Sequence, residues 1–312
     1  MDIYHYKYPE KLNLKSTAIA LGYFDGVHIG HRELISLLVR EARAKKLSPY
    51  VLTFEDSISK TKNTQSIIYN LEEKIEIFAS LGVDGVIVAD FSSISGLSPE
   101  SFVEDVLIDA FDAELAISGY NFRFGKYAAA DSSRLIELMD SAGKRALVLS
   151  EQKIGGKTLS ATVIRELIST RQLDLATKML GTPYYITGTV EKGLGLGTGF
   201  GFPTVNIPLR SDSPLPTGVY RTAVKIGEKL YTGITNIGKC PTVKERDIHT
   251  ETLIADYEGD LYGQTVKIYF LGYLREEEHF DSVDTLREQI YADRDKAIKE
   301  NGDLKWLEIG QN

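Results

Sequence analysis

Two histidines lie three residues apart in a turn that joins an apolar segment to a helical pattern. Residues 22–31 read Gly-Tyr-Phe-Asp-Gly-Val-His-Ile-Gly-His, so the two histidines are His28 and His31. Two imidazoles at this spacing can reach the same phosphate, and Gly30 between them lets the backbone approach a ligand. Free N–H groups at a helix start also favour anions. The turn therefore predicts a phosphate site, although it matches neither the dinucleotide fingerprint nor the Walker loop.

Two other interpretations of these histidines remain open. They could be polar turn residues without a ligand, which is the usual role of a lone histidine. They could also bind zinc, but no third ligand lies nearby and the single cysteine, Cys240, is far along the chain. Two of the chain's five histidines lie together at a strand-to-helix switch, and this placement favours a functional role.

The segments on both sides of this turn alternate between strand and helix patterns. Strands are expected near residues 17–21, 49–54, 83–89, 115–118 and 146–150. Amphipathic helices separate them, and the helix after residue 70 is expected to bury Leu71, Ile75 and Phe78. The alternation predicts an α/β, Rossmann-like domain with a parallel sheet. Ligands bind beyond the carboxyl ends of such strands, where the histidine turn would lie.

The pattern changes after residue 180 to β-rich runs with no helix between them. These runs cover residues 184–191, 218–226, 229–237, 250–257 and 265–271. Gly227-Glu228 predicts a two-residue hairpin turn. The pattern predicts an antiparallel sheet or a small antiparallel β-barrel, followed by a terminal helix at residues 283–298. The expected domains are residues 1–182 and 183–312.

Composition limits the classes of function. A chain of 312 residues is long enough for two domains with separate cores. A net charge of −8 argues against nucleic-acid binding, because neutralising a phosphate backbone requires a basic face. No early apolar run has the length of a signal or membrane segment. One cysteine rules out an internal disulfide framework and suits a reducing compartment, so a cytoplasmic location is expected.

Two further segments of the first domain could complete a phosphate-transfer site. The segment after the fourth strand offers an amide, a guanidinium and two rings, in Asn121, Phe122, Arg123 and Phe124. The start of a later helix offers hydroxyls and a cation that can hold the outer phosphates of a nucleotide, in Ser160, Thr162 and Arg165. Taken alone, the first segment could equally be an aromatic loop folded onto the core, and the second an ordinary helix cap.

A glycine-rich loop marks the second domain. Glycines recur at alternate positions over residues 193–201, and the loop ends in Pro-Thr-Val-Asn at 203–206. Such a backbone can wrap a phosphate. Glu251 lies in a later β-rich run, where a glutamate by itself usually lies on the solvent face.

Together these motifs resemble those of the bacterial riboflavin kinase/FAD synthetases, which pair an N-terminal nucleotidyltransferase with a C-terminal flavokinase. Residues 22–31 resemble the G-x-F-D-G-V-H-x-G-H signature, and residues 159–165 resemble S-S-T-x-I-R. Residues 201–206 resemble G-F-P-T-A-N, and residues 250–257 resemble the segment with the catalytic glutamate. The resemblance extends from about residue 17 to residue 298.

The resemblance implies two reactions, in which riboflavin and ATP give FMN, and FMN and ATP give FAD. It implies His28, His31 and Arg165 as catalytic residues of adenylyl transfer and Glu251 as the base of the kinase. It implies nucleotide binding by Gly22, Phe24, Asp25, Gly30, Ser160, Thr162, Gly195, Gly197, Thr204 and Asn206. Flavin binding falls to Asn121, Phe122, Arg123 and Phe124, and Mg²⁺ binding to Thr204 and Asn206. The expected partners are ATP, riboflavin, FMN and FAD, with no nucleic acid and no membrane.

The chain departs from the family pattern in both halves. Asp56-Ser57-Ile58 replaces Pro-His-Pro, and Ala161 replaces a serine. In the second half, Thr198, Lys239, Cys240 and Val243 stand where other residues are usual. These departures leave two alternative functions open. One is an FAD synthetase with a weakened kinase module, and the other is a flavin- or nucleotide-binding regulatory protein without turnover.

Overall fold

The chain folds into two compact units, Met1–Ala161 and Thr162–Asn312. The structure, a computed structural model, describes residues 1–55, 66–191, 204–239 and 248–309. The division between the units falls at residue 161, whereas the sequence predicts a domain boundary at residue 182. The domain boundary therefore stays a prediction.

A parallel sheet forms the centre of the first unit. The strands of this unit are β1 (Asp2–Tyr6), β2 (Thr17–Leu21), β3 (Ser48–Phe54), β4 (Gly85–Ala89), β5 (Ala113–Gly119), β6 (Arg123–Phe124), β7 (Ala130–Asp131), β8 (Arg145–Leu149), β9 (Lys153–Ile154) and β10 (Lys157–Thr158). Six of them pair in parallel in the order β1-β4-β3-β2-β5-β8, and β6–β7 and β9–β10 form two small hairpins. Every residue of β2 and β4 is buried, as expected for central strands covered on both faces.

Helices connect these strands. They are α1 (Ile29–Ala44), α2 (Leu71–Ser80), α3 (Phe91–Ile94), α4 (Pro99–Ser101), a π-helix (Phe102–Ala110) and α5 (Ser132–Ser141), with 3₁₀ turns at Asp25–Val27 and Lys126–Ala128. The side chains that α1 buries include Leu34, Ile35, Leu38 and Ala42, which are spaced for one helical face.

The expected buried face of α2 is partly wrong. The helix buries Glu73, Lys74, Ile77 and Phe78, whereas Leu71 and Ile75 are only half-buried. Glu73 is buried because it completes a capping box, in which Asn70 accepts a hydrogen bond from the Glu73 backbone and Glu73 accepts one from that of Asn70. The apolar spacing alone therefore points to a face rotated from the real one.

The second unit is an antiparallel sheet that nearly closes into a barrel. Its strands are β11 (Tyr185–Thr189), β12 (Thr204–Pro208), β13 (Gly218–Ile226), β14 (Lys229–Lys239), β15 (Ile248–Ile254) and β16 (Thr265–Arg275), in the order β11-β16-β13-β14-β15-β12. A bridge between Glu191 and Asn206 brings the two edges of this sheet together. The hairpin predicted at Gly227-Glu228 is confirmed, because Ile226 pairs with Lys229.

Helices flank this barrel. They are α6 (Ala161–Ser169), which begins at the last residue of the first unit, α7 (Leu173–Leu180), α8 (Val283–Asn301) and α9 (Trp306–Ile309). The terminal helix α8 packs Ala297 and Ile290 against Val219, Ile234 and Leu253 of the barrel. The fold class predicted from the sequence, a parallel α/β domain followed by an antiparallel barrel with a terminal helix, is confirmed.

Candidate active sites

The topology of the parallel sheet places two of the predicted segments at one edge. Strand β2 lies between β3 and β5, so strands that follow it in the chain lie on both of its sides. In open α/β sheets, ligands bind at such a switch point, outside the carboxyl ends of the strands. The histidine turn follows the carboxyl end of β2, and the segment from Asn121 to Phe124 follows that of β5.

Aromatic and acidic side chains hold the histidine turn in shape. Phe24 is buried in a left-handed backbone conformation, and its ring folds back over Gly22, where a Cβ atom would lie 2.9 Å from the ring. Asp25 is also buried, and its carboxylate accepts a hydrogen bond from the backbone N–H of Ile68 at 3.0 Å. Gly22, Phe24 and Asp25 thus build the turn and fix where the histidines begin.

His28 and His31 lie stacked at the start of α1. Their ring centroids are 3.6 Å apart and the planes are inclined by 14°. The rings of His31 and Phe24 form a T-shaped contact. His28 is the N-cap of α1, and its Nδ1 accepts a hydrogen bond from the backbone N–H of His31 at 3.3 Å. Because Nδ1 is an acceptor, the neutral ring carries its proton on Nε2. His28 can therefore donate a hydrogen bond to a ligand without being charged.

Burial keeps both imidazoles neutral. It lowers the pKa of His28 to about 4. The pKa of His31 is held well below its usual value, first by burial and then by the nearby charges of His28 and Lys74. Two buried rings in contact cannot both be protonated at low cost. The pair therefore offers neutral N–H donors at physiological pH, rather than fixed positive charges.

Lys74 is a component of this site that the sequence analysis missed. It is fully buried on α2, and its Nζ lies 4.4 Å from the centre of the Tyr23 ring. A lysine is rarely fully buried unless its charge is paired, and this one brings a positive charge close enough to His31 to lower the pKa of the imidazole. The only signal in the sequence is a lysine beside the apolar positions of α2, which resembles an ordinary surface residue.

Replacing Lys74 with methionine should raise the pKa of His31. Methionine keeps much of the side-chain volume but removes the positive charge that opposes protonation of His31. An NMR titration of the histidine ring protons measures the change, and Lys46→Met, at an exposed position after α1, is the control. An unchanged His31 titration in the Lys74 variant would show that the lysine charge does not act on the imidazole.

Glycine at position 30 lets the residue before Ser160 approach the start of α1. A Cβ atom at Gly30 would lie 3.0 Å from Cδ2 of Leu159, so glycine allows Leu159 to pack against the start of α1. Ser160 is the next residue. Thr162 and Arg165 lie in the first turns of α6, where the guanidinium donates to the Thr162 hydroxyl at 3.2 Å. Glycine at position 30 thus permits a close approach between Leu159 and the start of α1.

The aromatic segment after β5 divides into core and surface. Phe124 is buried against Phe102 and stacks on Phe122 at a centroid distance of 5.7 Å. Phe122 is half-buried, whereas Asn121 and Arg123 are exposed. Phe124 therefore anchors the segment in the core, and a ligand could contact the side chains of Asn121, Phe122 and Arg123.

A cavity of about 600 Å³ lies at the carboxyl ends of β1 and β4. Its lining includes Tyr6, Lys7, Glu55, Asp90 and Phe91, and Phe91 packs edge-on against the ring of Phe54. The volume falls within the range of small-molecule sites. Sequence patterns do not indicate this region, because β1 has no apolar run that would identify it as a strand.

Strand register brings together three predicted residues of the second unit. On β12 and β15, Thr204 pairs with Leu253 and Asn206 pairs with Glu251. Directly opposed residues of antiparallel strands point to the same side of the sheet, as do residues two apart. Thr204, Asn206 and Glu251 therefore share one face. Leu253 is on this face too, so it is the face against which α8 packs.

The surroundings of Glu251 change the acidity of its side chain. It is half-buried, and burial raises the pKa of its carboxyl group. A raised pKa makes a carboxylate a stronger proton acceptor near neutral pH. The hydroxyl of Thr204 and the amide oxygen of Asn206 are hard oxygen ligands of the type that Mg²⁺ accepts. Among the described residues no cluster of three or more His, Cys, Asp or Glu side chains could hold a metal.

Several predicted positions lie outside the described residues. They are the nucleotide-binding candidates Gly195 and Gly197 and the departures at Asp56, Thr198, Cys240 and Val243.

Two family models match the chain in the order of its units. The model described as FAD synthetase matches residues 10–163, and the model described as riboflavin kinase matches residues 180–300. The first match contains the histidine turn, and the second contains Thr204, Asn206 and Glu251.

Curated relatives extend the similarity over nearly the whole chain. A bifunctional riboflavin kinase/FMN adenylyltransferase of Bacillus subtilis is 31% identical, over 98% of this chain and 100% of that protein. The protein with the same description from Escherichia coli K12 is 34% identical, over 89% of this chain and 91% of that protein.

A solved structure shares the fold. A crystal structure described as a macrolide-efflux protein from Streptococcus pneumoniae has a TM-score of 0.84 and 28% identity, and the match covers 97% of this chain and all of that one. In the part of the present chain that is described, no helix is both long and apolar enough to span a membrane.

Proposed function

The chain belongs to the family of bifunctional riboflavin kinase/FMN adenylyltransferases, and on this premise we propose how its residues divide the two reactions. It phosphorylates riboflavin to FMN with ATP and adenylylates FMN to FAD. We propose that residues 1–182 carry the adenylyl transfer and residues 183–312 the kinase. The stacked, neutral pair of His28 and His31 at the switch point of the parallel sheet supports the first assignment most strongly.

In the adenylyl transfer, a phosphate oxygen of FMN attacks the α-phosphorus of ATP. A new P–O bond forms at the α-phosphorus. The bond between the α-phosphorus and the oxygen that bridges it to the β-phosphorus breaks, and pyrophosphate leaves with the electron pair. No protein group has to form a covalent bond, so positioning and stabilisation of charge suffice. His28 donates a hydrogen bond from Nε2 to the α-phosphate oxygens, and His31 beside it also stabilises the transition state at the phosphates. Ser160, Thr162 and Arg165 hold the leaving pyrophosphate.

In the kinase reaction, Glu251 accepts the proton of the riboflavin 5′-hydroxyl. The oxygen attacks the γ-phosphorus of ATP, and ADP leaves. The raised pKa of Glu251 supports this role, as does its position beside Asn206. Thr204 and Asn206 would hold Mg²⁺, which when bound neutralises the charge on the phosphates.

The cavity at β1 and β4 is suited to the flavin ring of FMN. Strand β4 lies two strands from β2, a separation of about 10 Å at the usual strand spacing. A ribityl phosphate chain can cross this separation, so the ring would lie beside Phe91 while the phosphate reaches His28. Asn121, Phe122 and Arg123 would contact the flavin from the side of β5. We also propose a cytoplasmic location, since the single cysteine suits a reducing compartment.

Chromatography of flavins and nucleotides tests this function. The purified chain with ATP and Mg²⁺ should convert riboflavin into FMN and FAD with release of ADP and pyrophosphate, and should convert FMN into FAD with release of pyrophosphate alone. Omitting Mg²⁺ and adding EDTA should stop both. FAD from FMN with no product from riboflavin would leave only the synthetase. Bound flavin without any product would indicate a regulatory protein.

A further inference from the structure

A third polar side chain lies in line with the two kinase residues on the outer face of the barrel. Asn206 on β12 pairs with Glu251 on β15, and Glu251 pairs in turn with Asn236 on β14. Side chains at directly opposed positions lie about 4.5–5.5 Å apart at their Cβ atoms. Asn236 is therefore the neighbour of Glu251 on the side away from Asn206.

Among the described residues, only one of the two polar atoms of the Asn236 carboxamide has a hydrogen-bond partner. Its Nδ2 donates a hydrogen bond to Oε1 of Glu277 at 3.4 Å. Its Oδ1 is buried, and no described residue donates a hydrogen bond to it. The opposite amide orientation would place the carbonyl oxygen against the carboxylate, where the two would repel each other. Glu277 thus fixes which end of the amide is available, and that end is an acceptor.

The fold provides a specific support for this arrangement. Gly238 lies two residues after Asn236 on the same face of β14, and the Glu277 carboxylate occupies the space that a side chain at this position would fill. Glycine at 238 therefore lets Glu277 lie over the strand and reach Asn236. A buried acceptor without a donor costs folding free energy. It would therefore be unusual for Glu277 and Gly238 to hold the Asn236 oxygen in such a position if no ligand donated a hydrogen bond to it.

We propose that Asn236 positions riboflavin in the kinase site, with Oδ1 accepting a hydrogen bond from a ribityl hydroxyl next to the reacting 5′-hydroxyl. Asn236 exchanges no proton, since Glu251 takes the proton of the 5′-hydroxyl. The ribityl chain carries several hydroxyl donors, and a fixed acceptor beside the base would select one rotamer of this chain. The inference rests on the proposed role of Glu251 and adds a determinant of substrate orientation.

Asn236→Ala should lower kcat/KM for riboflavin phosphorylation at least tenfold, with the KM for ATP unchanged. Adenylylation of added FMN should stay at the wild-type rate, and Lys229→Ala, an exposed change on β14, is the control. Asn236→Ser restores a small acceptor and should recover part of the loss. Near-UV circular dichroism verifies that the barrel of each variant is folded.

Riboflavin analogues that lack single ribityl hydroxyls separate positioning from a purely structural effect. One deoxy analogue should be a poor substrate for the wild type. The same analogue should be no worse than riboflavin for Asn236→Ala, because the analogue lacks the donor and the variant lacks the acceptor of one and the same hydrogen bond. Equal losses for every analogue in both proteins, or a variant within twofold of the wild type, would overturn the proposal. A wild-type chain that phosphorylates no riboflavin while it adenylylates FMN would overturn the kinase function as well.

Discussion

His28→Asn should reduce FAD formation from FMN about 100-fold or more, the size of effect that follows loss of one donor to transition-state charge. The variant removes the Nε2–H donor of the imidazole. It retains a side-chain oxygen that can accept the backbone N–H of His31, which His28 accepts in the native structure. Asparagine is a good N-cap residue, so α1 should remain folded.

The measurement is the initial rate of FAD and pyrophosphate formation from FMN and ATP. His279→Ala, at an exposed histidine of the second unit, controls for the loss of a histidine as such. Phosphorylation of riboflavin by His28→Asn should equal that of the wild type. A variant that makes FAD at more than about a third of the wild-type rate would refute the donor role of His28.

Glu251→Gln should abolish most of the riboflavin kinase activity and leave FMN adenylylation intact. Glutamine has nearly the same shape but cannot accept the proton of the 5′-hydroxyl, and loss of a general base typically costs about 100- to 10,000-fold. Glu258→Gln, at an exposed position between β15 and β16, is the matched control. Kinase activity retained by Glu251→Gln would exclude Glu251 as the base.

The pH dependence of the kinase gives a second test of Glu251. Burial raises its pKa, so its basic form should be lost on acidification at a higher pH than for an ordinary glutamate. The folded state then holds this proton more tightly than the unfolded chain does. The buried carboxylate therefore costs stability as the pH rises through the raised pKa. At neutral pH, Glu251→Gln should accordingly unfold at no lower temperature than the wild type, which thermal denaturation measures.

The elements around the histidine turn follow from local sequence. The apolar run Thr17–Leu21 becomes the buried strand β2, and the helical spacing of Leu34, Ile35 and Leu38 becomes the buried face of α1. Central strands and core-facing helices carry these patterns because both are set by burial within a short segment. The position of the histidine turn, at the carboxyl end of a parallel strand, therefore follows from local sequence.

Features that depend on contacts with distant segments cannot be predicted from local sequence patterns in this way. Strand β1 is at the edge of its sheet and buries only Tyr6, so the stretch lacks an apolar run. Lys74 is buried by contacts with a different segment, including Tyr23, and nothing in its own neighbourhood shows this. The alignment of Asn236 with Glu251 depends on the register between two strands, which the spacing along the chain does not fix.

A mixing experiment tests most directly the central claim that two separate sites in one chain act in sequence. His28→Asn should convert riboflavin only to FMN, and Glu251→Gln should make almost no product from riboflavin. Mixed together with ATP and Mg²⁺, the two variants should form FAD from riboflavin, because FMN released by one is adenylylated by the other. Two results would contradict the assignment of the two reactions to these two sites. One is a mixture that forms no FAD although each variant retains its own single activity. The other is FAD formation from riboflavin at the wild-type rate by either variant alone.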